Sequence, residues 1–165
     1  MARPRTIPDG TIFAAILRLI AEGGEKAVSF SSVAEATGLS APSLVQRYGA
    51  LPEMVHKAFV GEWDRIDALT TTAIADMATS TKGPQSLLKA LSRIPGAAVL
   101  AATLRDDKLR DRAAKWQRRV ETALAAHIGE AEDAALLFAA WQGQMIWEGI
   151  AGKSFKLKDA LRRLG

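Results

Sequence analysis

Apolar residues recur along the chain at helical spacing, and no apolar run alternates with polar residues in the way of a half-buried strand. The clearest stripe occupies positions i, i+1, i+4, i+5 and i+8 of one helix: Ile12, Phe13, Ile16, Leu17 and Ile20. This spacing predicts a first helix from about Pro8 to Glu22. The Gly23-Gly24 pair ends it, because glycine adopts the left-handed cap without penalty.

Two short helices are predicted next, and each begins at a serine. Ser29 suits the N-cap of a helix over 30–37, which Gly38 ends. Ser40 caps a third helix, which tolerates Pro42 in its first turn because the N–H of that position has no helical partner. The chain therefore starts with three short helices before residue 50.

The rest of the chain is also predicted to be helical. A helix from Pro52 to about Thr79 would extend ~40 Å, too long for a compact head alone. Glycine and proline breaks divide the remainder into five helices, at about 84–94, 97–104, 107–128, 131–150 and 156–164. The sequence thus predicts an all-α fold of about nine helices, with a head at 1–50 joined by the long helix to a bundle within 51–165.

The segment from Ser29 to Tyr48 meets the packing demands of a helix-turn-helix. Ala34 is small enough to let two helices cross closely, Gly38 supplies the turn between them, and Leu44 anchors the second helix on the first. A plain packed helical hairpin is the alternative interpretation.

These residues resemble the DNA-binding head of the TetR family of transcriptional regulators. Three segments carry the resemblance: FAAILRLIAEGG at 13–24, SSVAEATGLSAPSL at 31–44 and YGALPEM at 48–54. The match covers about residues 10–60, whereas the rest of the chain is similar to the family only in its general helical character.

The resemblance implies that the head binds double-stranded DNA. Hydroxyls and helix N-termini bind phosphate, glutamine pairs with adenine, and arginine binds guanine or phosphate. The implied DNA-binding residues are Ser29, Ser31, Ala41, Pro42, Ser43, Gln46, Arg47 and Tyr48. Arg3 and Arg5 are candidates for an arm in the minor groove, with a disordered, solubilising terminus as the alternative.

Two positions depart from the family pattern. Val45 stands where the family usually has tyrosine, and Leu51 where it usually has a phosphate-binding lysine. Each departure removes a contact to the DNA backbone, and losing an ionic contact weakens the salt-dependent part of affinity. A head that keeps the fold but has lost DNA binding is therefore a second hypothesis.

The resemblance also implies a homodimer formed through about 107–150. The helix predicted over 131–150 is apolar on most of its surface, so it must be buried nearly all round, and Gly143 would allow a close helix approach. The family further implies a pocket for an apolar small-molecule effector. Its candidate residues are Trp63, Met77, Trp116, Trp141 and Gln142, with plain core and dimer packing as the alternative.

Composition narrows the function classes. The formal net charge is +4 and the pI about 9.6, but residues 1–60 hold six Lys/Arg against five Asp/Glu, so the basic excess is not concentrated in the head. Cysteine is absent, which excludes disulfides and thiolate chemistry. His56 and His127 have no acidic or histidine partners at the spacing of metal ligands or of a catalytic triad. We therefore predict no metal, no cofactor and no enzyme activity. No stretch reaches the ~20 apolar residues of a membrane span, and we expect a cytoplasmic protein.

The leading hypothesis is a ligand-responsive repressor that binds a palindromic operator as a dimer. Two recognition helices would meet half-sites ~34–36 Å apart. The alternative is a dimeric helical ligand- or partner-binding module with a degenerate head that no longer binds DNA tightly.

Overall fold

The structure, a computed structural model, describes residues 7–92 and 94–164. Within these residues the chain forms nine α-helices and no strand. The helices are α1 (Asp9–Gly23), α2 (Phe30–Thr37), α3 (Ala41–Tyr48), α4 (Leu51–Thr79), α5 (Pro84–Ala90), α6 (Ala97–Thr103), α7 (Asp107–Ile128), α8 (Ala131–Ala151) and α9 (Leu157–Leu164). The prediction of an all-α fold is confirmed.

Most helices begin and end within one residue of the predicted position, but α5 ends four residues early. The amide and the hydroxyl of Ser92 both donate to the carbonyl of Lys89, at 3.2 and 2.7 Å. These bonds close a turn and satisfy a carbonyl that a continuing helix would have bonded to a later amide. Ile94 also precedes a proline, and a residue in that position is disfavoured in helical conformation.

The chain forms two compact units, and their boundary falls inside α4. The N-terminal unit comprises Met1–Asp64 with Ala98–Ala102, and the C-terminal unit comprises Arg65–Ala97 with Thr103–Gly165. The boundary predicted near residue 50 for the DNA-binding domain stays a prediction about function.

The core of the N-terminal unit is built from fully buried apolar side chains of α1, α2, α3 and the first half of α4: Ile12, Ile16, Val33, Leu44, Met54 and Trp63. Gly61 lets α4 approach α1 closely, because a Cβ atom at this position would lie 2.5 Å from Cδ2 of Phe13. The three short helices and the start of α4 thus form one packed body that holds α3 in place.

In the C-terminal unit, hydrogen bonds and an ion pair join α7 to the second half of α4. Nε and Nη2 of Arg112 donate to Oδ2 of Asp67 at 2.9 and 2.7 Å. Nε1 of Trp116 donates to the buried Oγ1 of Thr70 at 2.8 Å. The helices α7 and α8 pack along each other, and both contribute fully buried leucines, Leu124 and Leu137, to the core of this unit.

None of the helices in the described part of the chain is both long enough and apolar enough to cross a lipid bilayer.

Candidate nucleic-acid interface

The N-terminus of α2 is held by a reciprocal pair of serines. Oγ of Ser29 accepts from the amide of Ser32 at 3.0 Å, and Oγ of Ser32 accepts from the amide of Ser29 at 2.9 Å. This capping box satisfies backbone donors that the first helical turn leaves open. Ser29 is half-buried and occupied as the cap, whereas Ser31, in the first turn, is exposed.

The turn between α2 and α3 depends on Gly38. Its backbone lies in the left-handed region, with φ 72° and ψ 14°, and its amide donates to the carbonyl of Ala34 at 2.8 Å. Glycine occupies this region at no steric cost. The short α2 therefore ends abruptly, and the chain turns into α3 within three residues.

The N-terminus of α3 is capped by Ser40. Its Oγ accepts from the amide of Ser43 at 3.3 Å and lies 2.7 Å from Oγ of Ser43. Ala41 and Pro42 occupy the first turn, where proline costs nothing. This arrangement leaves the start of α3 exposed and fixed in conformation.

The outer face of α3 carries small and polar groups. Pro42, Ser43 and Gln46 are exposed, and Val45 is 45% exposed beside them. Leu44 is fully buried on the opposite face and fastens the helix to the unit. The exposed face offers a hydroxyl, an amide and an apolar side chain, which can bond or pack against base edges.

Arg47 is bound to the start of α1. Its Nη1 donates to the carbonyl of Ile7 at 2.8 Å, and its Nη2 lies 2.9 Å from Oδ1 of Asp9. The guanidinium is partly exposed, but both bonds are made within the N-terminal unit. A contact from Arg47 to DNA would require it to share or exchange these partners.

Tyr48 lies behind α3, in the interior of the N-terminal unit. It is 7% exposed, its hydroxyl donates to Oδ1 of Asp9, and its ring centroid lies 6.2 Å from that of Phe13. Burial raises the pKa of the Tyr48 phenol well above its usual value, the hydrogen bond and negative charge of Asp9 raise it further, and Arg47 opposes the rise.

Two cations lie over the ring of Tyr48. Cζ of Arg47 is 5.6 Å and Nζ of Lys57 is 5.7 Å from the ring centroid. Both distances fall in the range of cation–π attraction. Tyr48 thus joins the C-terminal end of α3 to α1 and to α4.

The N-terminal unit has no basic excess that would strengthen its electrostatic attraction to DNA. Between Pro8 and Asp64 the sequence has four Lys/Arg and seven Asp/Glu, and Arg3 and Arg5 bring the count to six against seven over residues 1–64. Arg3 and Arg5, the predicted minor-groove arm, lie outside the described residues, so the arm stays a prediction.

Asp9 was not predicted as part of the site, although it contacts both Arg47 and Tyr48. In the sequence Asp9 only suggests an acidic residue in the first turn of a helix, which is a common stabilising feature. Its partners lie 38 and 39 residues further along the chain, so only the folded unit brings them together.

The five predicted pocket residues are divided between the two compact units. Trp63 is fully buried in the N-terminal unit, whereas Met77, Trp116 and Trp141 are buried in the C-terminal unit and Gln142 is half-buried. The rings of Trp116 and Trp141 both contact Phe138, with centroid distances of 5.8 and 5.6 Å. Trp141 also lines a cavity of about 580 Å³ together with residues of α5 and α9.

No protein-family model and no curated protein sequence matches the chain. Solved structures do match it over nearly its whole length. A transcriptional regulator from Rhodococcus sp. Rha1 is 20% identical, with a TM-score of 0.68 over 96% of this chain and 94% of that one. A member of the TetR family from Streptomyces coelicolor A3 is also 20% identical, with a TM-score of 0.65 over 93% and 94% of the two chains.

A third match is the multidrug binding protein EbrR, solved in complex with malachite green. It is 19% identical, with a TM-score of 0.65 over 96% of each chain. At this level of identity the matches establish the architecture. The resemblance seen in the first sixty residues is thereby confirmed for the fold, and the chain has the all-α fold of the TetR-family transcriptional regulators.

Proposed function

We propose that the protein is a DNA-binding transcriptional regulator that binds its operator through the exposed face of α3. The observation that carries the proposal is the way this helix is capped and packed on the N-terminal unit. Ser40 caps its start, Leu44 and Tyr48 are buried behind it, and Pro42, Ser43 and Gln46 remain exposed. A rigid helix with a free N-terminal end suits insertion into a major groove, and the regulators that share the fold support a non-enzymatic role.

The predicted DNA-binding residues divide into contact and support roles in this proposal. Ser31, Ala41, Pro42, Ser43 and Gln46 would meet phosphates or base edges directly. The other three act indirectly. Ser29 fixes the first turn of α2 through the capping box, and Arg47 and Tyr48 hold α3 against α1 through Asp9.

We further propose that the protein binds DNA as a homodimer through α8. Four large apolar side chains of this helix are between 53 and 76% exposed: Leu136, Ile146, Trp147 and Ile150. A second copy that presents the same face would bury them in a two-fold, self-complementary interface. Such a dimer presents two α3 helices to a palindromic site with half-sites about 34–36 Å apart.

Repression relieved by a small ligand is the form of regulation that we propose. A ligand shifts such a protein away from its DNA-binding state only if it binds the other state more tightly. The cavity beside Trp141 supports the presence of a ligand site, and a protein of the same fold has been solved with malachite green bound.

A second candidate function is favoured by the charges of the N-terminal unit. The acidic excess between Pro8 and Asp64, together with the internal bonds of Arg47, suits a ligand- or partner-binding module whose head no longer binds DNA tightly. Selection of binding sites from random DNA duplexes at low salt distinguishes the two candidates.

The regulator proposal predicts enrichment of a near-palindromic site in that selection. Gln46→Ala should then weaken binding by roughly 1–3 kcal/mol and relax the preference at one base pair of each half-site, as expected for the loss of a base contact. Gln117→Ala, which removes an exposed glutamine of α7, is the matched control and should bind as the unaltered protein does. Failure to enrich any sequence would reject the regulator and favour the second candidate.

A further inference from the structure

The C-terminal unit contains a cavity between α5, the last three turns of α8 and the chain around the start of α9. Its volume is about 580 Å³. Cavities of about 300–1,000 Å³ are typical of small-molecule sites. Of the residues predicted from the sequence as a ligand pocket, Trp141 is the one that lines it.

The inner wall of the cavity is apolar and partly aromatic. Trp141 is 4% exposed and Leu88 is fully buried, and Met145 and Phe155 complete this wall. Met145 and Phe155 are partly exposed, so a flat hydrocarbon body placed against them removes apolar surface from water on both partners.

The position of Phe155 is fixed by a backbone bond to α8. The amide of Phe155 donates to Oε1 of Gln144 at 3.1 Å. This bond spans the turn that follows α8 and fixes the backbone of Phe155 beside the cavity.

The rim of the cavity is basic. Four lysines line it, Lys89, Lys153, Lys156 and Lys158, against two acids, Glu148 and Asp159. Each acid already has a cationic partner. Oε1 of Glu148 lies 3.4 Å from Nζ of Lys153, and Oδ1 of Asp159 lies 3.6 Å from Nη2 of Arg162. Lys89, Lys156 and Lys158 are exposed and form no ion pair within residues 7–92 and 94–164.

We infer that this cavity binds an aromatic carboxylate, with the ring system against Met145 and Phe155 and the carboxylate among the rim lysines. The apolar wall selects the hydrocarbon body, and the surplus of positive charge selects an anion over a cation. The inference deepens the proposed function by naming the class of its effector. It rests on that function only for the effect of the ligand on DNA binding.

Isothermal titration of the full chain with two probes tests the ligand class. The probes are 2-naphthoate and 2-naphthylmethylammonium, which share a ring system and carry opposite charges. Naphthoate should bind at least about tenfold more tightly than the ammonium compound, because several partly solvated lysines favour the anion. Equal affinity for the two probes, or no binding of naphthoate, would overturn the inference.

Charge removal at the rim tests the location of the site. Lys89→Gln with Lys156→Gln should weaken naphthoate binding by about tenfold, since two rim charges are lost. Lys108→Gln with Lys115→Gln removes the same charge from the exposed face of α7 and should leave the affinity unchanged. An equal loss in the two double variants would show general charge attraction and reject the site.

The two proposals fail independently. Naphthoate binding without any enriched DNA site would retain the cavity and reject the regulator. An enriched DNA site without naphthoate binding would retain the regulator and reject this ligand class.

Discussion

A single phenol, that of Tyr48, joins α3 to α1. Its ring is buried against Phe13, and its hydroxyl donates to Asp9. The ion pair of Arg47 with Asp9 is half-exposed, and such pairs contribute at most about 1 kcal/mol. We therefore expect the buried ring and hydroxyl of Tyr48, more than the ion pair, to hold α3 in position.

Titration of Tyr48 tests this expectation. Tyr48 is the one tyrosine of the chain, so the tyrosinate absorbance belongs to this residue alone. Burial and Asp9 raise the pKa of the phenol in the folded state. The stabilisation from the neutral phenol is thus complete below the ordinary pKa of about 10 and is lost as the pH rises through the folded-state pKa. The tyrosinate absorbance of the folded protein should therefore appear well above pH 10, whereas in denaturant it should appear near about pH 10.

Two variants serve as controls for the titration. Tyr48→Phe should lack the part of the alkaline loss of stability that belongs to the phenol, measured as the unfolding free energy against pH. Asp9→Asn should lower the folded-state pKa only in part, because burial is the larger cause of its rise. A folded-state midpoint near the ordinary value would mean that the phenol is not held in the interior.

At the scale of elements, α8 carries the exposed apolar side chains and two glycines that lie on different sides of the helix. Gly143 is one turn from Trp147 and two turns from both Leu136 and Ile150, so it shares their face. Gly149 lies about 120° around the helix axis from Gly143. A Cβ atom at either glycine would meet nothing within 4 Å in the described protomer.

These two glycines give a matched test of the proposed dimer. Alanine at either position removes the helix penalty of glycine, up to about 1 kcal/mol, and should not destabilise the folded chain. Gly143→Ala should nevertheless weaken the dimer, because a methyl group on the apolar face separates two closely packed helices. Gly149→Ala should leave the dimer constant unchanged in sedimentation equilibrium.

The dimer proposal fails at this face if both alanine variants associate as the unaltered chain does. Equal weakening by both would also contradict it, since the effect would then not depend on the face of α8. Denaturant unfolding of both variants at several protein concentrations separates the two effects, because only the contribution of association to apparent stability depends on concentration.

At the scale of the whole molecule, the distribution of charge matters more than its total. The chain carries a formal net charge of +4, yet acidic residues exceed basic ones between Pro8 and Asp64. Each phosphate that a cation neutralises contributes about −0.9 to the slope of log affinity against log salt concentration. We therefore expect a shallow salt dependence for operator binding, with Arg3 and Arg5 supplying a large part of it.

The contribution of the two arginines is measured with a double variant. Arg3→Gln with Arg5→Gln should make the slope shallower by about 1 for each arginine that contacts a phosphate in each protomer. Lys108→Gln with Lys115→Gln is matched in charge and should leave the slope unchanged, as followed by fluorescence anisotropy of a labelled operator. An unchanged slope in the arginine variant would support the alternative of a solubilising terminus.

Local sequence specifies the helices, the turn of the helix-turn-helix and the residues that cap it. Ser29, Gly38 and Ser40 act on backbone groups a few residues away, so their effect can be predicted from the neighbouring sequence. The end of α5 is the exception, because the turn at Ser92 competes with a helical pattern that continues to Ile94.

The packing of distant segments sets which predicted residues remain available at the surface. It pairs Arg47 and Tyr48 with Asp9, leaves Leu136 and Trp147 exposed on α8, and brings Lys89 of α5 and Lys156 to one cavity. The physical reason is that these partners are far apart in the chain. Spacing predicts which face of a helix is apolar, whereas the packing of distant segments decides what covers that face and which charges meet.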